Sequence, residues 1–278
     1  MKLSRRLQTS TAVSAIDFLA SAVPELSKGR LKDAMSKGAV QLLGKPVKRL
    51  RRSQQMLKPG DSLALHYDDD ILQRQSEPAV LLHDEKAYSV WFKPAGMLSQ
   101  GNEWGDHLSL LRFAEQFFTP LRQVFLLHRL DREASGLVML AHSKQAAAAL
   151  SKLIAEQQIS KIYQIRVKGE LSSVLQQQGA ISIPLDNKPC ESRFTLQAYD
   201  ATSDSSLLTV QLITGRKHQI RRHFAAIEHP VLGDPQYGKN NKNAAGLALQ
   251  AIGLSFNCPL RRRRQTFELP ASLMLTHC

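Results

Sequence analysis

Residues 124–140 read VFLLHRLDREASGLVML and consist of two apolar runs on either side of a polar centre. Each run has the length and composition of a short buried strand, so the sequence predicts a polar loop held between two rigid elements. Ionisable groups held in this way are typical of catalytic and binding sites. This stretch therefore predicts a sheet-based fold and, at its centre, a functional site.

Arg129 and Asp131 lie two positions apart in that polar centre. If strand geometry continues into the loop, both side chains emerge on the same face. A neighbouring guanidinium keeps a carboxylate ionised, and an ionised carboxylate can act as a nucleophile. The pair alone is equally consistent with a structural salt bridge at a loop.

The chain from residue 78 onward has the pattern of one large domain. Alternating or apolar runs predict strands at 80–82, 88–92, 162–167 and 207–213. Helical spacing of apolar residues predicts helices at 145–158 and 218–227. Strands outnumber helices and do not follow regular βαβ spacing, so we predict an α+β domain with a mixed, mainly antiparallel sheet over 78–278.

Residues 12–72 have the pattern of a smaller α/β domain. Apolar residues at helical spacing before Pro24, and a potential helix cap at Ser27, predict two short helices. A hairpin that turns at 44–45 and a strand at 62–66 are predicted to follow them. Residues 68–70 and 73–78 are polar and are interpreted as a linker to the larger domain.

The charge of the chain favours a polyanionic partner. Lys and Arg number 37 against 24 Asp and Glu, which gives a net charge of +13 and favours nucleic acid. The basic segment 45–52, which follows the turn of the predicted hairpin, carries five candidate phosphate contacts, namely Lys45, Lys48, Arg49, Arg51 and Arg52. Net charge alone is also consistent with a basic protein that binds no nucleic acid.

Cysteine spacing and hydropathy bear on the compartment of the protein. Cys190, Cys258 and Cys278 are far apart and form no CxxC pair, so neither a zinc site nor a disulfide framework is predicted. Asp17 and several hydroxyl residues interrupt the N-terminal apolar stretch, which argues against a secretory signal. No run approaches the roughly 20 apolar residues of a membrane span. We expect a cytoplasmic protein without a membrane partner.

Four segments, in order, carry a resemblance to a known family. HRLDREASGL at 128–137 resembles the signature HRLDxxTSGL of the RluA-type pseudouridine synthases. WFKPAGMLSQ from Trp91, KIYQIRVKGE from Lys161 and GRKHQIRRHFAAIEHPVLGDPQYG from Gly215 match further segments of that family. The resemblance covers most of 78–257 and implies the pseudouridine synthase fold. The smaller domain, with GAVQLLGKPVK and LKPGDSLAL, resembles the S4-like RNA-binding domain.

The resemblance implies an RNA isomerase that uses no cofactor and no metal. It implies that Asp131 is the nucleophile and that Arg221 pairs with this catalytic aspartate. It also implies that Tyr163 packs on the uracil and assists removal of the proton from C5. Arg129 would fill the space left by the flipped uridine. Lys217 and Arg222 are expected to contact RNA. Whether Asp131 attacks the sugar directly or supports a glycal route stays open.

Several alternatives stay open at this point. The chain can also be a non-catalytic RNA-binding protein on the same fold, or an N-glycoside hydrolase that uses Asp131. Ribosomal RNA of the large subunit is the favoured substrate and transfer RNA the alternative, and we expect a monomer. A metal site at His128, Asp131 and His142 is a further, weaker alternative. Two positions depart from the family pattern, Ala134 in the signature and Gln250 at a position where histidine is frequent.

Overall fold

The computed structural model describes residues 1–171 and 178–275. They divide into two compact units, of which the first comprises Met1–Ser76 with Gln100–Phe118. The second comprises Glu77–Ser99 and the chain from Thr119 onward. These units differ from the sequence-based domains 12–72 and 78–278, because the N-terminal residues and the segment 100–118 belong to the first unit.

The first unit combines a small antiparallel sheet with short helices. Its elements are β1 (Lys2–Gln8), β2 (Val13–Ser14), α1 (Ala15–Ala22), α2 (Lys28–Ser36), β3 (Val40–Leu43), β4 (Lys48–Arg49), β5 (Met56–Leu57), β6 (Ser62–Asp68), α3 (Asp69–Leu72) and α4 (Leu110–Phe117). The sheet has the strand order β1-β6-β3-β4, and β2 pairs separately with β5. All these pairings are antiparallel.

Both predicted N-terminal helices are confirmed, and hydroxyl side chains begin them. The Ser14 hydroxyl accepts a hydrogen bond from the backbone N–H of Asp17, and Ser27 caps α2 through the N–H of Arg30. The predicted hairpin is confirmed as β3 and β4. The resemblance of this unit to an S4-like domain stays a prediction.

The interpretation of residues 68–70 as part of a linker is wrong. Asp68 is the last residue of β6, and its carboxylate accepts a hydrogen bond from the N–H of Ile71 at 3.2 Å. Asp69 accepts a hydrogen bond from the Tyr67 hydroxyl. The acidic run therefore forms the start of α3, where carboxylates stabilise the exposed N–H groups of a helix.

The second unit is built on one large sheet. Its elements are β7 (Val80–Asp84), β8 (Tyr88–Lys93), β9 (Phe125–Leu126), β10 (Ser135–Ala141), α5 (Lys144–Ala155), β11 (Ser160–Lys168), β12 (Gln178–Ile181), β13 (Ser192–Asp200), β14 (Ser205–Leu212), α6 (Gln219–Ala226), β15 (Leu249–Cys258), β16 (Arg263–Glu268) and a 3-10 helix at Ala271–Leu273. The strand order is β12-β13-β14-β11-β15-β10-β8-β7, with β16 paired to β15 and β9 to β10.

This sheet confirms the predicted α+β architecture. Within the described part of the chain, β10 and β15 form the one parallel pair of the sheet, and the other pairings are antiparallel. The core beside β8, β10 and β15 includes Tyr88, Met139, Leu254 and Phe256. The leucines of α5 extend this core, since Leu150 is fully buried in it.

The parallel junction in the middle of the sheet brings the polar loop of residues 127–134 close to Tyr163. Gly136 near the start of β10 and Tyr163 on β11 are both paired with Ala251 of β15. Gly136 has a φ of 113°, and a Cβ atom added there would lie 2.2 Å from the carbonyl oxygen of Ala251. Only glycine fits this conformation and this close approach of two backbones.

Gly136→Ala is therefore expected to destabilise the protein by about 3 kcal/mol, since backbone atoms must move to admit the new methyl group. The free energy of unfolding in urea, measured on both proteins, checks this expectation. Gly215→Ala is the matched control, because an added Cβ there meets nothing within 4 Å. Equal stability of the two variants would contradict the close approach of β10 and β15.

Two sequence expectations about cysteines and membranes can be compared with the structure. Cys190 and Cys258 are buried free thiols, and Cys278 lies outside the described residues. Across residues 1–171 and 178–275, the helices are all too short or too polar to span a bilayer.

Candidate active site

Asp131 lies on the loop between β9 and β10, and this loop is held from both sides. The Ser99 hydroxyl accepts a hydrogen bond from the N–H of Leu130 at 2.9 Å and donates one to its carbonyl at 2.8 Å. On the other side of Asp131, the N–H of Gly96 donates to the carbonyl of Arg132 at 2.7 Å. The backbone next to Asp131 is therefore fixed before any substrate binds.

Lys93 is the main anchor of this loop and was not identified as a site residue from the sequence. Its fully buried amino group donates hydrogen bonds to the carbonyls of Ala134 at 2.7 Å, Met97 at 2.8 Å and Pro94 at 3.0 Å. Burial lowers the pKa of Lys93 to about 7. The segment that begins at Trp91 gave a sign of this role, because Lys93 directly follows the apolar strand predicted at 88–92 and a buried lysine needs hydrogen-bond partners inside the protein.

Arg221 joins the catalytic loop to the loop after α6. Its Nη1 donates to Asp131 Oδ2 at 2.7 Å, while Nε and Nη2 donate to the two carboxylate oxygens of Asp234 at 2.7 and 2.8 Å. Arg221 is 2 % exposed and Asp234 is fully buried, whereas Asp131 is 25 % exposed. The guanidinium is thus fixed by the buried carboxylate of Asp234 and directs an N–H of Nη1 to Asp131.

Asp234 was missed in the sequence analysis, although it lies inside the segment that begins at Gly215. Burial opposes its ionisation, but hydrogen bonds from Arg221 and from the N–H groups of Gln236 and Tyr237 prevail and lower the pKa of Asp234. An ionised partner is what a buried arginine needs. Asp234 therefore orients Arg221 toward Asp131.

Tyr163 lies on β11 with a side chain that is 7 % exposed. Burial, together with the negative charge of Asp131, raises the pKa of Tyr163 well above its ordinary value. The phenol therefore stays protonated throughout the range in which RNA is stable. In this protonated form it can pack on a base or donate a hydrogen bond.

The ratio of wild-type to Tyr163→Phe turnover is expected to stay constant from about pH 6 to pH 9.5, because a phenol normally ionises near pH 10 and this one does so higher. The pKa is raised in the folded state, so the protonated form persists below both values. Initial rates at saturating RNA check this. A ratio that climbs tenfold per pH unit would mean that the phenolate is the working form.

His218 and Tyr237 complete the polar cluster, and neither was identified from the sequence. His218 Nε2 lies 3.6 Å from Asp131 Oδ1, and its Nδ1 lies 3.1 Å from the Tyr237 hydroxyl. The guanidinium carbon of Arg221 lies 5.1 Å from the centre of the Tyr237 ring. Burial lowers the pKa of His218 despite the nearby Asp131 carboxylate. Both residues lie in the segment that begins at Gly215, and their place in this motif was the one feature of the sequence that could have marked them as site residues.

The other predicted RNA contacts of this unit are of two kinds, exposed residues and one that is paired with a carboxylate. Arg129 and Lys217 are exposed. Arg222 instead forms a bidentate ion pair with Asp186, with both N–O distances at 3.0 Å. Strand geometry does not continue through the catalytic loop, because β9 ends at Leu126 and β10 begins at Ser135. The premise that placed Arg129 and Asp131 on one strand face is therefore wrong.

In the first unit, the basic segment 45–52 contains two kinds of residue. Lys45, Lys48 and Arg52 are exposed. Arg49 donates to the carbonyl of Asn102 at 2.5 Å, and Arg51 donates to the carbonyl of Ser36 at 2.7 Å; both arginines also pair with the Asp106 carboxylate. The prediction that Arg49 and Arg51 are free to contact phosphates is corrected, because protein groups already occupy these guanidinium donors.

The two histidines of the metal alternative have structural partners. His128 Nε2 accepts a hydrogen bond from the N–H of Met139 at 3.1 Å, and burial together with the charge of Lys161 lowers the pKa of His128 to about 3. His142 contacts the Ser89 hydroxyl at 2.8 Å. Nowhere in the described ranges do three His, Cys, Asp or Glu side chains group as a metal site.

Gln250, one of the two departures from the family pattern, ties three segments together. Its amide donates to the Ser135 hydroxyl and to the carbonyl of Leu273, both at 3.0 Å, and accepts from the N–H of Leu275 at 2.9 Å. Ala134, the other departure, is buried beside the loop. Gln250 therefore contacts the start of β10 at Ser135 and not the Asp131 carboxylate.

Comparison with known proteins adds independent information on this chain. Residues 87–226 match the family model described as RNA pseudouridylate synthase. A relative from Pasteurella multocida, named dual-specificity RNA pseudouridine synthase RluA, is 32% identical over 68% of this chain and 92% of its own length. A relative from Xanthomonas campestris, named ribosomal large subunit pseudouridine synthase D, is 28% identical over 79% of this chain and 70% of its own.

A solved structure supports the fold. The human protein called RNA Pseudouridylate Synthase Domain Containing 1 matches with a TM-score of 0.61 and covers 73% of this chain and 87% of its own. At 20% sequence identity, this likeness concerns the architecture of the sheet and its helices. The large, mainly antiparallel sheet described above is therefore shared with that protein.

Proposed function

Because this chain belongs to the RluA family of RNA pseudouridine synthases and is thus an RNA isomerase, we propose that it acts on ribosomal RNA with Asp131 as its nucleophile. The reaction breaks the bond between the sugar and N1 of uracil, turns the base, and joins the sugar to C5. Nothing is oxidised, added or lost, so the residues of the site must supply binding, orientation and charge.

The observation that carries the assignment of Asp131 is that its carboxylate is partly exposed and held in one orientation. One oxygen accepts a hydrogen bond from the almost completely buried Arg221 at 2.7 Å, and the side chain keeps enough exposure to meet a substrate. Asp234 fixes the arginine in turn. A charged group that is held in place before the substrate arrives has the preorganisation that catalysis at a sugar carbon requires.

The target nucleotide must leave the RNA stack to reach this carboxylate, at a cost of a few kcal/mol. Arg129 is exposed on the same loop as Asp131 and can fill the vacated space by stacking on the neighbouring bases. Tyr163 packs against the extruded uracil as a neutral phenol. Asp131 then acts at the anomeric carbon, by direct attack or by support of a glycal route.

Ribosomal RNA is the proposed substrate because of the extent of the similarities. The relative named for the ribosomal large subunit aligns over 79% of this chain, whereas the dual-specificity relative aligns over 68%. An additional RNA-binding domain also suits a large folded RNA. The first unit, proposed to be S4-like, would supply this contact. Transfer RNA stays the alternative.

Lys45, Lys48 and Arg52 are proposed as phosphate contacts of the first unit. Replacing all three with Ala is expected to weaken RNA binding and to reduce the slope of log affinity against log salt concentration by about two to three, since each lost phosphate contact removes about 0.7–0.9 from it. Filter binding at several salt concentrations measures this slope. Lys144→Ala, a change at an exposed lysine of α5 in the second unit, serves as the control. An unchanged slope in the triple variant would contradict the assignment.

The experiment that tests the proposed substrate is a map of pseudouridines in cellular RNA with and without this protein. We expect one or a few sites in large-subunit ribosomal RNA to disappear on deletion and to return with the wild-type gene. Loss of sites only in transfer RNA would replace the ribosomal proposal with its alternative. Appearance of free uracil would instead indicate glycoside hydrolysis.

A further inference from the structure

The residue before α6 has an unusual backbone conformation. His218 is the N-cap of this helix, with φ 52° and ψ 31°, and its side chain makes no capping hydrogen bond. This left-handed region is unfavourable for residues with a side chain, and glycine or asparagine adopts it at lower cost. Strain that is kept at a non-glycine residue in a functional site points to a use for that side chain.

The strained backbone places the imidazole between two polar groups. Nε2 lies 3.6 Å from Asp131 Oδ1, and Nδ1 lies 3.1 Å from the hydroxyl of Tyr237. The ring of Tyr237 is also packed edge-on against that of His218, with 5.8 Å between centroids. Arg221 binds the other oxygen of Asp131. The carboxylate is therefore approached from both of its oxygens.

We propose that His218 is a positioning residue that orients the Asp131 carboxylate from Oδ1, and that the Tyr237 hydroxyl fixes the tautomer of its ring. This proposal rests on the proposed role of Asp131. Neither His218 nor Tyr237 was predicted from the sequence to be a site residue.

The tautomer follows from the acceptor chemistry of the neighbours. An ionised carboxylate can only accept, so the ring nitrogen that faces Asp131 carries the proton. Nδ1 is then the acceptor and the Tyr237 hydroxyl donates to it. Without that donor the proton could move to Nδ1, and a lone pair would face the carboxylate. Tyr237 thus acts on Asp131 through His218.

Fixing both oxygens matters because a carboxylate that is held at one oxygen can still rotate. Only one orientation points a lone pair at the anomeric carbon of the extruded nucleotide. A misplacement of about 1 Å in a reacting group can reduce the rate by about 10²-fold. The imidazole of His218 restricts rotation of the Asp131 carboxylate. Because the pKa of His218 is lowered, it does so without adding a second full positive charge beside that of Arg221.

His218→Gly separates the two possible roles of this residue. Relief of the left-handed strain is expected to leave the midpoint of thermal unfolding equal or higher, while kcat falls by about 10²-fold and KM stays unchanged. His218→Gln, which can bring an amide N–H to the position of Nε2, is expected to recover most of the turnover. His229→Gly is the control, because the side chain of this histidine forms a hydrogen bond with the carbonyl of Lys168, away from Asp131.

Tyr237→Phe then tests the link between the two rings. It is expected to lower kcat in the wild-type background and to have no further effect in the His218→Gln background, because an amide has no tautomer to fix. Additive losses would overturn the role of Tyr237. Unchanged kcat in His218→Gly, a change in KM alone, or a lower unfolding midpoint would each overturn the role of His218.

The same assays include Asp131→Asn, so that the two proposals can fail separately. An active Asp131→Asn protein would refute the proposed function itself. An inactive Asp131→Asn protein beside a fully active His218→Gly protein would refute only the positioning role of His218.

Discussion

Asp131→Asn is expected to lower pseudouridine formation by about 10⁴-fold or more, which is the size of effect seen when a catalytic carboxylate or nucleophile is removed. The amide has nearly the same shape as the carboxylate, but it is neutral and a poor nucleophile. Arg221 keeps its bidentate pair with Asp234 in this variant, so the fold is expected to survive. Release of tritium from C5-labelled uridine in the RNA measures the reaction.

Two controls separate a chemical defect from a binding defect. The affinity of Asp131→Asn for the RNA is expected to stay close to that of the wild type, since the exposed cations Arg129 and Lys217 remain. Asp186→Asn changes an exposed carboxylate that pairs with Arg222, and it is expected to keep full turnover. Substantial turnover in Asp131→Asn would remove this residue from the chemistry.

Arg221→Met is expected to destabilise the protein by about 3–5 kcal/mol and also to lower turnover by about 10²–10³-fold. The loss of stability arises because Asp234, which is fully buried, would be left as an uncompensated charge. The loss of turnover arises because Asp131 Oδ2 would lose the hydrogen bond from Arg221 Nη1 that orients the carboxylate. Denaturant unfolding and tritium release measure the two effects separately.

The neighbouring residue supplies the matched control for Arg221. Arg222→Met breaks an ion pair with Asp186 at the surface, and we expect little change in the free energy of unfolding because water replaces the lost contacts. Asp234→Asn in the Arg221→Met background is expected to recover part of the stability but none of the turnover. Equal destabilisation by Arg221→Met and Arg222→Met would contradict the buried pair with Asp234.

Local patterns were sufficient to predict the main elements of the second unit. Alternation along residues 162–167 and 207–213 predicted β11 and β14, and helical spacing after His218 predicted α6. The resemblance to the RluA-type family also implied that Arg221 meets Asp131, although 90 residues separate them. These features succeed because each is encoded in a short stretch or in a spaced motif.

Other features of the site depend on contacts that no local pattern encodes. The left-handed backbone of His218 was not predictable from the sequence, because only a few per cent of non-glycine residues adopt this conformation and the residue type alone does not say which. Asp234 reads as a polar residue in a loop, and only the fold buries it against Arg221. Lys93 reads as part of a turn, yet its amino group holds the catalytic loop through Ala134.

In the first unit, too, the sequence did not predict which basic residues are exposed or which segments pack together. A run of basic residues does not distinguish exposed Lys48 from Arg51, which is paired with Asp106 of a distant segment. Grouping of 100–118 with the N-terminal residues depends on such long-range pairs. The strand β1 was not predicted from the sequence, because Leu3 and Leu7 lie on one of its faces but the exposed Arg5 between them breaks the alternation of apolar and polar residues.

The central claim is that the Asp131 carboxylate meets the sugar of an extruded uridine. The most direct measurement is a crystal structure of the wild-type protein with RNA that carries 5-fluorouridine at the mapped site. In this nucleotide, fluorine replaces the C5 hydrogen that must leave as a proton, so the reaction stops before release. We expect the anomeric carbon within about 3.5 Å of a carboxylate oxygen of Asp131, or bonded to it, with the base against Tyr163. A target nucleotide that stays stacked in the RNA, or that lies in another cleft, would contradict the claim.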